Sequence, residues 1–201
     1  MRIWLFPTRR LGLVGLIAVL VSSTLSCVDI TVDGGPVPTP SFPIESLLLD
    51  ESAFPEGWTA YEAFEPRDGF GLPISITFSP PRDSAGGMAL HAAYIARSSQ
   101  EAAHGYQTWA DFWFWESERR GPWSVPRELP YQSQVADPFR FACYRERGDG
   151  RQVCQAVGQY GRYMSRFHTF MNPDTMTFAD LERILVAIDE RMAFYLGKEM
   201  E

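Results

Sequence analysis

The chain has 201 residues, of which 45% are hydrophobic, 14% aromatic and 21% charged, and its formal net charge is -7 at pH 7. This apolar content excludes a mostly disordered chain, and the 16 glycines and 15 prolines follow no fixed period, which excludes a collagen-like or repeat protein. The first 26 residues contain three arginines and no acid, so the remainder carries 15 basic and 25 acidic residues. Such an acidic domain is repelled by nucleic acid, and we expect no nucleic-acid partner.

The N-terminus has the pattern of an export signal. Three arginines precede an apolar core over residues 11–21, which is shorter than the ~20 residues of a transmembrane helix. Small residues and then Cys27 follow this core. The segment resembles a bacterial lipobox, although Thr24 stands where that pattern prefers Leu. The resemblance implies a signal peptide over 1–26, with Cys27 lipidated and the protein anchored to the outer face of the bacterial cell membrane, or to the outer membrane of a diderm.

A stretch rich in Pro and Gly follows the predicted lipidation site. Residues 27–43 include Gly34, Gly35 and four prolines, which form neither a helix nor a strand ladder. We interpret this stretch as a tether that holds a folded domain, residues 44–201, clear of the bilayer. An ordinary disordered N-terminus is the alternative.

The first elements predicted for the domain are a short helix and two strands. The helix is expected from Pro43 to Asp50. Alternating apolar residues predict strands over Ile74–Ser79 and Met88–Ala96, which form a long hairpin. In the second strand, the alternation directs His91 away from the apolar row and towards solvent.

Two capping boxes predict the two main helices. Ser98 with Glu101 opens a helix from about residue 99 to 118, and Thr177 with Asp180 opens the C-terminal helix. Between them, residues 153–170 read as one long return strand. Its glycines, Gly158 and Gly161, are typical of a bulge or of a close approach by another element.

The two remaining cysteines predict a disulfide. Cys143 and Cys154 flank the turn sequence Gly148-Asp149-Gly150 at equal distances, so the two arms of the hairpin place them opposite each other. In an oxidising compartment this bond is expected to form.

The order of elements predicts an α+β domain, in which helices pack on one face of an antiparallel sheet. The segment Leu47–Trp58, read together with the strands and the disulfide hairpin that follow, resembles the extracytoplasmic domains of actinobacterial lipoproteins and receptor-kinase sensors. The resemblance implies a location outside the cytoplasm and carries no catalytic motif.

Aromatic residues are concentrated on the helix that begins near Ser99. Four consecutive side chains are aromatic, and on a helix they point in four different directions; they are Phe112, Trp113, Phe114 and Trp115. Either another element covers all of them, or some are exposed to a partner. The first interpretation buries Tyr106, Trp109 and Trp113, and it places Trp115 or Phe112 under Trp123 and the long loop that leads to Phe139. The second uses the aromatic set as a surface for an envelope protein or for a small apolar or sugar ligand; that set is Trp109, Phe112, Trp113, Trp115 and Trp123.

No catalytic or metal-binding signature is recognisable. His91, His104 and His168 have no zinc spacing, and no nucleophile elbow or phosphate-binding loop is present. We therefore expect no cofactor and no metal, and we expect a non-catalytic binding or sensing domain. An accessory subunit of a membrane complex is the alternative, and a hydrolase with a dispersed site is less favoured.

Overall fold

Six antiparallel strands form the central sheet. The computed structural model describes residues 37–64, 74–82, 87–116 and 120–199. The strands are β1 (Thr59–Phe64), β2 (Ile74–Ser79), β3 (Ala89–Ile95), β4 (Phe139–Arg145), β5 (Gln152–Tyr160) and β6 (Tyr163–Met171). Their order across the sheet is β1-β2-β3-β6-β5-β4. The chain therefore crosses from β3 to the far edge and returns through β5 and β6. All five pairs of neighbouring strands are antiparallel, which confirms the predicted antiparallel sheet.

The predicted return strand over residues 153–170 is two strands in the structure. β5 and β6 pair along their whole length and are joined by Gly161 and Arg162, with Tyr160 opposite Tyr163. Gly161 has φ +61°, a conformation that a tight hairpin turn requires and that residues with a Cβ rarely adopt. The prediction of one continuous strand was wrong because it interpreted this turn glycine as a bulge.

The second glycine of this region, Gly158, marks a close approach, as predicted. A Cβ at this position would lie 2.9 Å from the Tyr160 ring and 3.0 Å from Ala136. The segment that precedes β4 therefore packs directly on the backbone of β5.

Both predicted helices are present, and each begins at its predicted cap. Helix α1 spans Ser99–Trp113 and helix α2 spans Phe178–Glu199. The Ser98 hydroxyl accepts from the Glu101 N–H at 3.1 Å. At α2 the box is reciprocal, since the Asp180 carboxylate also accepts from the Thr177 N–H at 3.0 Å.

The two helices lie on opposite faces of the sheet. Ala92 and Tyr94 of β3 belong to the apolar cluster that contains α1 residues, whereas Ala93 and Ile95 belong to the cluster that contains α2 residues. We name these sides the α1 face and the α2 face. The α+β class is confirmed, but the expectation that the helices share one face was wrong, because β3, β4, β5 and β6 carry buried residues on both sides.

The segment before β1 packs against α2. It forms two short 3-10 helices, Ile44–Leu47 and Glu51–Ala53, where one short helix was expected. Phe42, which the sequence analysis assigns to the tether, is buried and lies 4.5 Å from the Tyr195 ring, centroid to centroid. The signal peptide and Cys27 lie outside the described residues.

The predicted disulfide is confirmed. Cys143 and Cys154 are directly paired across β4 and β5, and their sulfurs are bonded, with the Cα atoms 4.0 Å apart. Both residues are buried on the α2 face, so the bond lies in the core of the domain.

Candidate functional site

The structure divides the predicted aromatic set between core and surface. Trp109 packs edge-on against Tyr94, with ring centroids 3.9 Å apart. Trp113 and Trp123 pack against the same α1-face cluster. Tyr106 is buried, and Trp109 and Trp113 are partly buried, as the first interpretation expects for the residues at helical spacing. Trp123 is also partly buried.

Phe112 and Trp115 are the exposed members of the set. Their exposed fractions are 67% and 66%, which are high for large apolar side chains. Neither lies beneath Trp123, because Phe114 takes that place, with ring centroids 4.8 Å apart. The end of α1 therefore presents two aromatic rings to solvent.

A group of polar residues lies beneath α1 on the α1 face of the sheet, where the local sequence pattern does not predict buried side chains. Arg166 and His168 alternate along β6, and Gln155 is paired with His168 across β5. Arg166 and Gln155 are only 8% and 2% exposed. Alternating polar residues on a strand usually indicate a solvent face, but here α1 covers the strand.

Arg166 lies against the ring of Trp113, with the guanidinium carbon 3.0 Å from the ring centroid. Burial lowers its pKa to about 10, while the Tyr94 hydroxyl acts in the opposite direction. The guanidinium thus stays charged at neutral pH. No carboxylate among the described residues forms an ion pair with it.

His168 is neutral at physiological pH. Burial lowers its pKa to about 4, and the positive charges of Arg166 and Arg120 contribute to the same shift. Its Nδ1 atom is buried without a hydrogen-bond partner, as are Nε1 of Trp123, Nε2 of Gln155 and Nε of Arg166.

His91 is fully buried on the α2 face, so the expectation that it points to solvent was wrong. Its Nδ1 accepts from the Leu49 N–H at 3.1 Å, and its Nε2 lies 3.0 Å from the Ser165 hydroxyl oxygen. Burial lowers its pKa to about 3, with Arg191 contributing. The prediction failed because the segment before β1 and helix α2 cover the face that the alternation assigned to solvent.

The pairing of His91 and Ser165 does not suit nucleophilic catalysis. Because Nδ1 accepts a hydrogen bond from a backbone N–H, the proton of the neutral ring is on Nε2. Nε2 therefore donates to the serine oxygen, whereas a general base must accept the serine proton. We interpret this pair as a structural link between Leu49, β3 and β6.

A buried carboxylate joins the loop before β4 to α2. Asp189 accepts from the hydroxyls of Tyr131, Ser133 and Tyr160 at 2.7, 2.8 and 2.7 Å. Burial and this carboxylate raise the pKa of both tyrosines. Three donors satisfy the carboxylate, which gives it a structural role.

Within the described ranges, no three His, Cys, Asp or Glu side chains converge in a way that could hold a metal ion. None of the helices in this part of the chain is both long and apolar enough to cross a membrane.

Comparison with known proteins relates the fold to a domain that functions outside the cell. The chain is structurally similar to the extracellular domain of PknH from Mycobacterium tuberculosis, with a TM-score of 0.56 and 12% sequence identity over 79% of this chain and 99% of that one. No protein-family model matches the sequence, and no curated protein matches it. At this identity the similarity concerns the fold, and it agrees at that level with the resemblance inferred from the sequence.

Proposed function

We propose that this protein is a non-catalytic binding or sensing domain that is anchored to the outside of the bacterial cell envelope. The observation that carries the proposal is the fold, which resembles an extracellular domain and contains a buried disulfide. Disulfides of this kind persist in oxidising compartments, which supports a location outside the cytoplasm.

The proposed anchor is a lipid on Cys27, the residue that follows the signal-like core. Stable anchoring takes more than one acyl chain, and the lipobox resemblance implies a multiply acylated cysteine. The membrane is therefore the first proposed partner, reached through the N-terminal lipid.

The second proposed partner is an envelope protein that binds the end of α1. Phe112 and Trp115 are mostly exposed, and aromatic side chains of this size contribute strongly to protein interfaces. Phe112 also stacks edge-on against Trp113, with centroids 4.9 Å apart, so the exposed rings continue into the core cluster. An accessory subunit of a membrane complex would use the same surface in a permanent interface.

The test is capture of the tagged full-length protein from native membranes after mild crosslinking, with mass spectrometry of the retained proteins. We expect a partner that is lost when Phe112→Ser and Trp115→Ser are combined. The matched control is Phe194→Ser, which removes another exposed aromatic ring, 57% exposed, from α2 on the opposite face.

Two results would contradict the proposal. An N-terminal peptide mass without acyl chains on Cys27 would exclude the lipid anchor. A partner retained equally by the double variant and by the Phe194→Ser control would exclude the aromatic surface. Recovery of a stoichiometric partner would favour the accessory-subunit alternative over a free-standing receptor.

A further inference from the structure

The buried polar residues of the α1 face share a chemical property that the proposed function does not use. Their unpartnered atoms include the indole N–H of Trp123, the amide nitrogen of Gln155 and the Nε of Arg166. Each of these three groups can only donate a hydrogen bond. A donor that is buried without an acceptor destabilises the folded state. The cluster is thus complementary to a group that is rich in acceptor oxygens.

The register of the sheet brings these residues onto one surface. His168 is the direct partner of Gln155, and Gln155 is in turn the partner of Ala142 on β4. Arg166 lies two residues from His168 and therefore on the same face. Trp123 borders this surface, since its ring packs against that of Tyr144, with centroids 4.5 Å apart.

The charge of this surface favours an anion. In addition to burial, the positive charges of Arg166 and Arg120 lower the pKa of His168, which shows that both arginines lie near this histidine. Arg166 is 8% exposed and has no ion-pair partner among the described residues. A buried charge without a counter-charge is unfavourable, although the Trp113 ring and the Tyr94 hydroxyl offset part of this cost. An acidic ligand would supply the missing negative charge.

Aromatic rings border the same surface. Trp113 lies over Arg166, and Trp123 is held between Phe114 and Tyr144 at centroid distances of 4.8 and 4.5 Å. Such rings favour an apolar or planar body next to the acidic group.

From these observations we propose that the α1 face contains a binding site for a small organic acid, whose carboxylate or phosphate oxygens accept from Arg166, Gln155 and Trp123. Its apolar or aromatic body would pack against the rings near the end of α1. Such a site would make the domain a receptor for a small acid, and it therefore rests on the binding role proposed above.

The experiment uses the full-length protein in a non-ionic detergent, with phenyl phosphate as the probe and benzyl alcohol and inorganic phosphate as comparisons. At ten times its Kd, phenyl phosphate should raise the Tm by about 4 °C. Benzyl alcohol lacks the acid and should have no effect, and inorganic phosphate should bind more weakly because it lacks the ring. Equal binding of all three compounds, or no binding of phenyl phosphate, would overturn the proposal.

Arg166→Met separates a binding role from a structural one. If the charge serves a ligand, the unliganded variant should be as stable as the wild type or more so, because an apolar side chain replaces an unpaired buried charge. Its response to phenyl phosphate should be lost. Arg183→Met, which removes an exposed arginine from α2 that pairs with Asp180, should respond like the wild type. An Arg166→Met variant that is clearly less stable or does not fold would overturn the proposal, because Arg166 would then be a structural residue.

Trp123→Phe provides a milder second variant. It keeps an aromatic ring between Phe114 and Tyr144 and removes only the N–H donor. We expect affinity for phenyl phosphate to fall about tenfold or more, the effect of one hydrogen bond to a charged group. Unchanged affinity would exclude Trp123 from the site and overturn the proposed donor set. Loss of acid binding would leave the lipid anchor and the α1 partner surface standing, since crosslinking and peptide mass test those separately.

Discussion

Buried polar side chains show at the scale of single residues how the core is specified. His91 joins three parts of the fold, since Leu49 donates to its ring and Ser165 lies within hydrogen-bond distance of its other nitrogen. Arg191 donates to the carbonyl of Leu48 and forms an ion pair with Asp50 at 2.7 Å. These contacts fasten the segment before β1 to the α2 face through directional bonds as well as apolar packing.

Replacement of His91 tests how much its hydrogen bonds contribute to the stability of the fold. His91→Ala leaves the Leu49 N–H unpaired in the core and creates a cavity, so we expect a loss of about 2–4 kcal/mol in the free energy of unfolding. Urea denaturation at pH 7 measures the effect. The control is His104→Ala, because His104 is exposed on α1 and its removal should change stability by less than about 0.5 kcal/mol. Equal effects of the two substitutions would show that the His91 contacts contribute little.

At the scale of elements, the Cys143–Cys154 disulfide links the two strands of the β4–β5 hairpin. The bond joins residues that are 11 apart in sequence, so it restricts a short loop of the unfolded chain. The chain before β4 also pairs with the outer edge of the hairpin, since Ser124 and Cys143 exchange both backbone hydrogen bonds at 2.9 Å. The edge strand is thus covered, which discourages pairing between molecules.

Removal of this link should destabilise the domain measurably. For Cys143→Ala combined with Cys154→Ala, we expect a loss of about 2–3 kcal/mol from the chain entropy of a loop of this length. Urea denaturation with and without a reductant measures it. The wild type should become less stable under reductant, whereas the double variant should not respond. A wild type whose stability is the same with and without reductant would contradict the expectation.

At the scale of the whole molecule, the central strands of the sheet are covered on both faces, and this places one neutral histidine, His91, in the core on the α2 face and another, His168, half-buried on the α1 face. The pKa values of His91 and His168 are lowered to about 3 and about 4, against about 6.5 for an unfolded histidine. Between those values the unfolded state binds more protons than the folded state. Stability contributed by these histidines is therefore complete above about pH 6.5 and is lost as the pH falls.

This difference predicts marked acid sensitivity. Below about pH 6.5, each of the two histidines should lower the free energy of unfolding by up to ~1.4 kcal/mol per pH unit. Urea denaturation at pH 7 and at pH 5 separates this effect from the carboxylates, which titrate lower. In His91→Ala, the loss of stability between these two pH values should be about half that of the wild type. An equal loss in both proteins would mean that His91 is not the buried neutral group inferred here.

Local sequence patterns were sufficient to predict most elements. The capping boxes at Ser98 and Thr177 located both helix starts, because the residues that cap a helix are neighbours in sequence. The register of Cys143 and Cys154 followed from the position of the turn, since a hairpin pairs residues at equal distances from its centre. The alternation in β2 and β3 likewise predicted their pairing.

Burial on the two faces of the sheet was decided by tertiary structure alone. A strand that alternates polar and apolar residues reads as half-exposed, and only the placement of α1 and α2 on opposite faces shows that His91, Gln155 and Arg166 are buried. The candidate acid site depends on the same fact. The sequence by itself determined the helix starts, the disulfide and the α+β class, because these depend on contacts between near neighbours. The polar cluster and the division of the aromatic rings between core and surface depend on contacts between strands and helices distant in sequence, which no local pattern encodes.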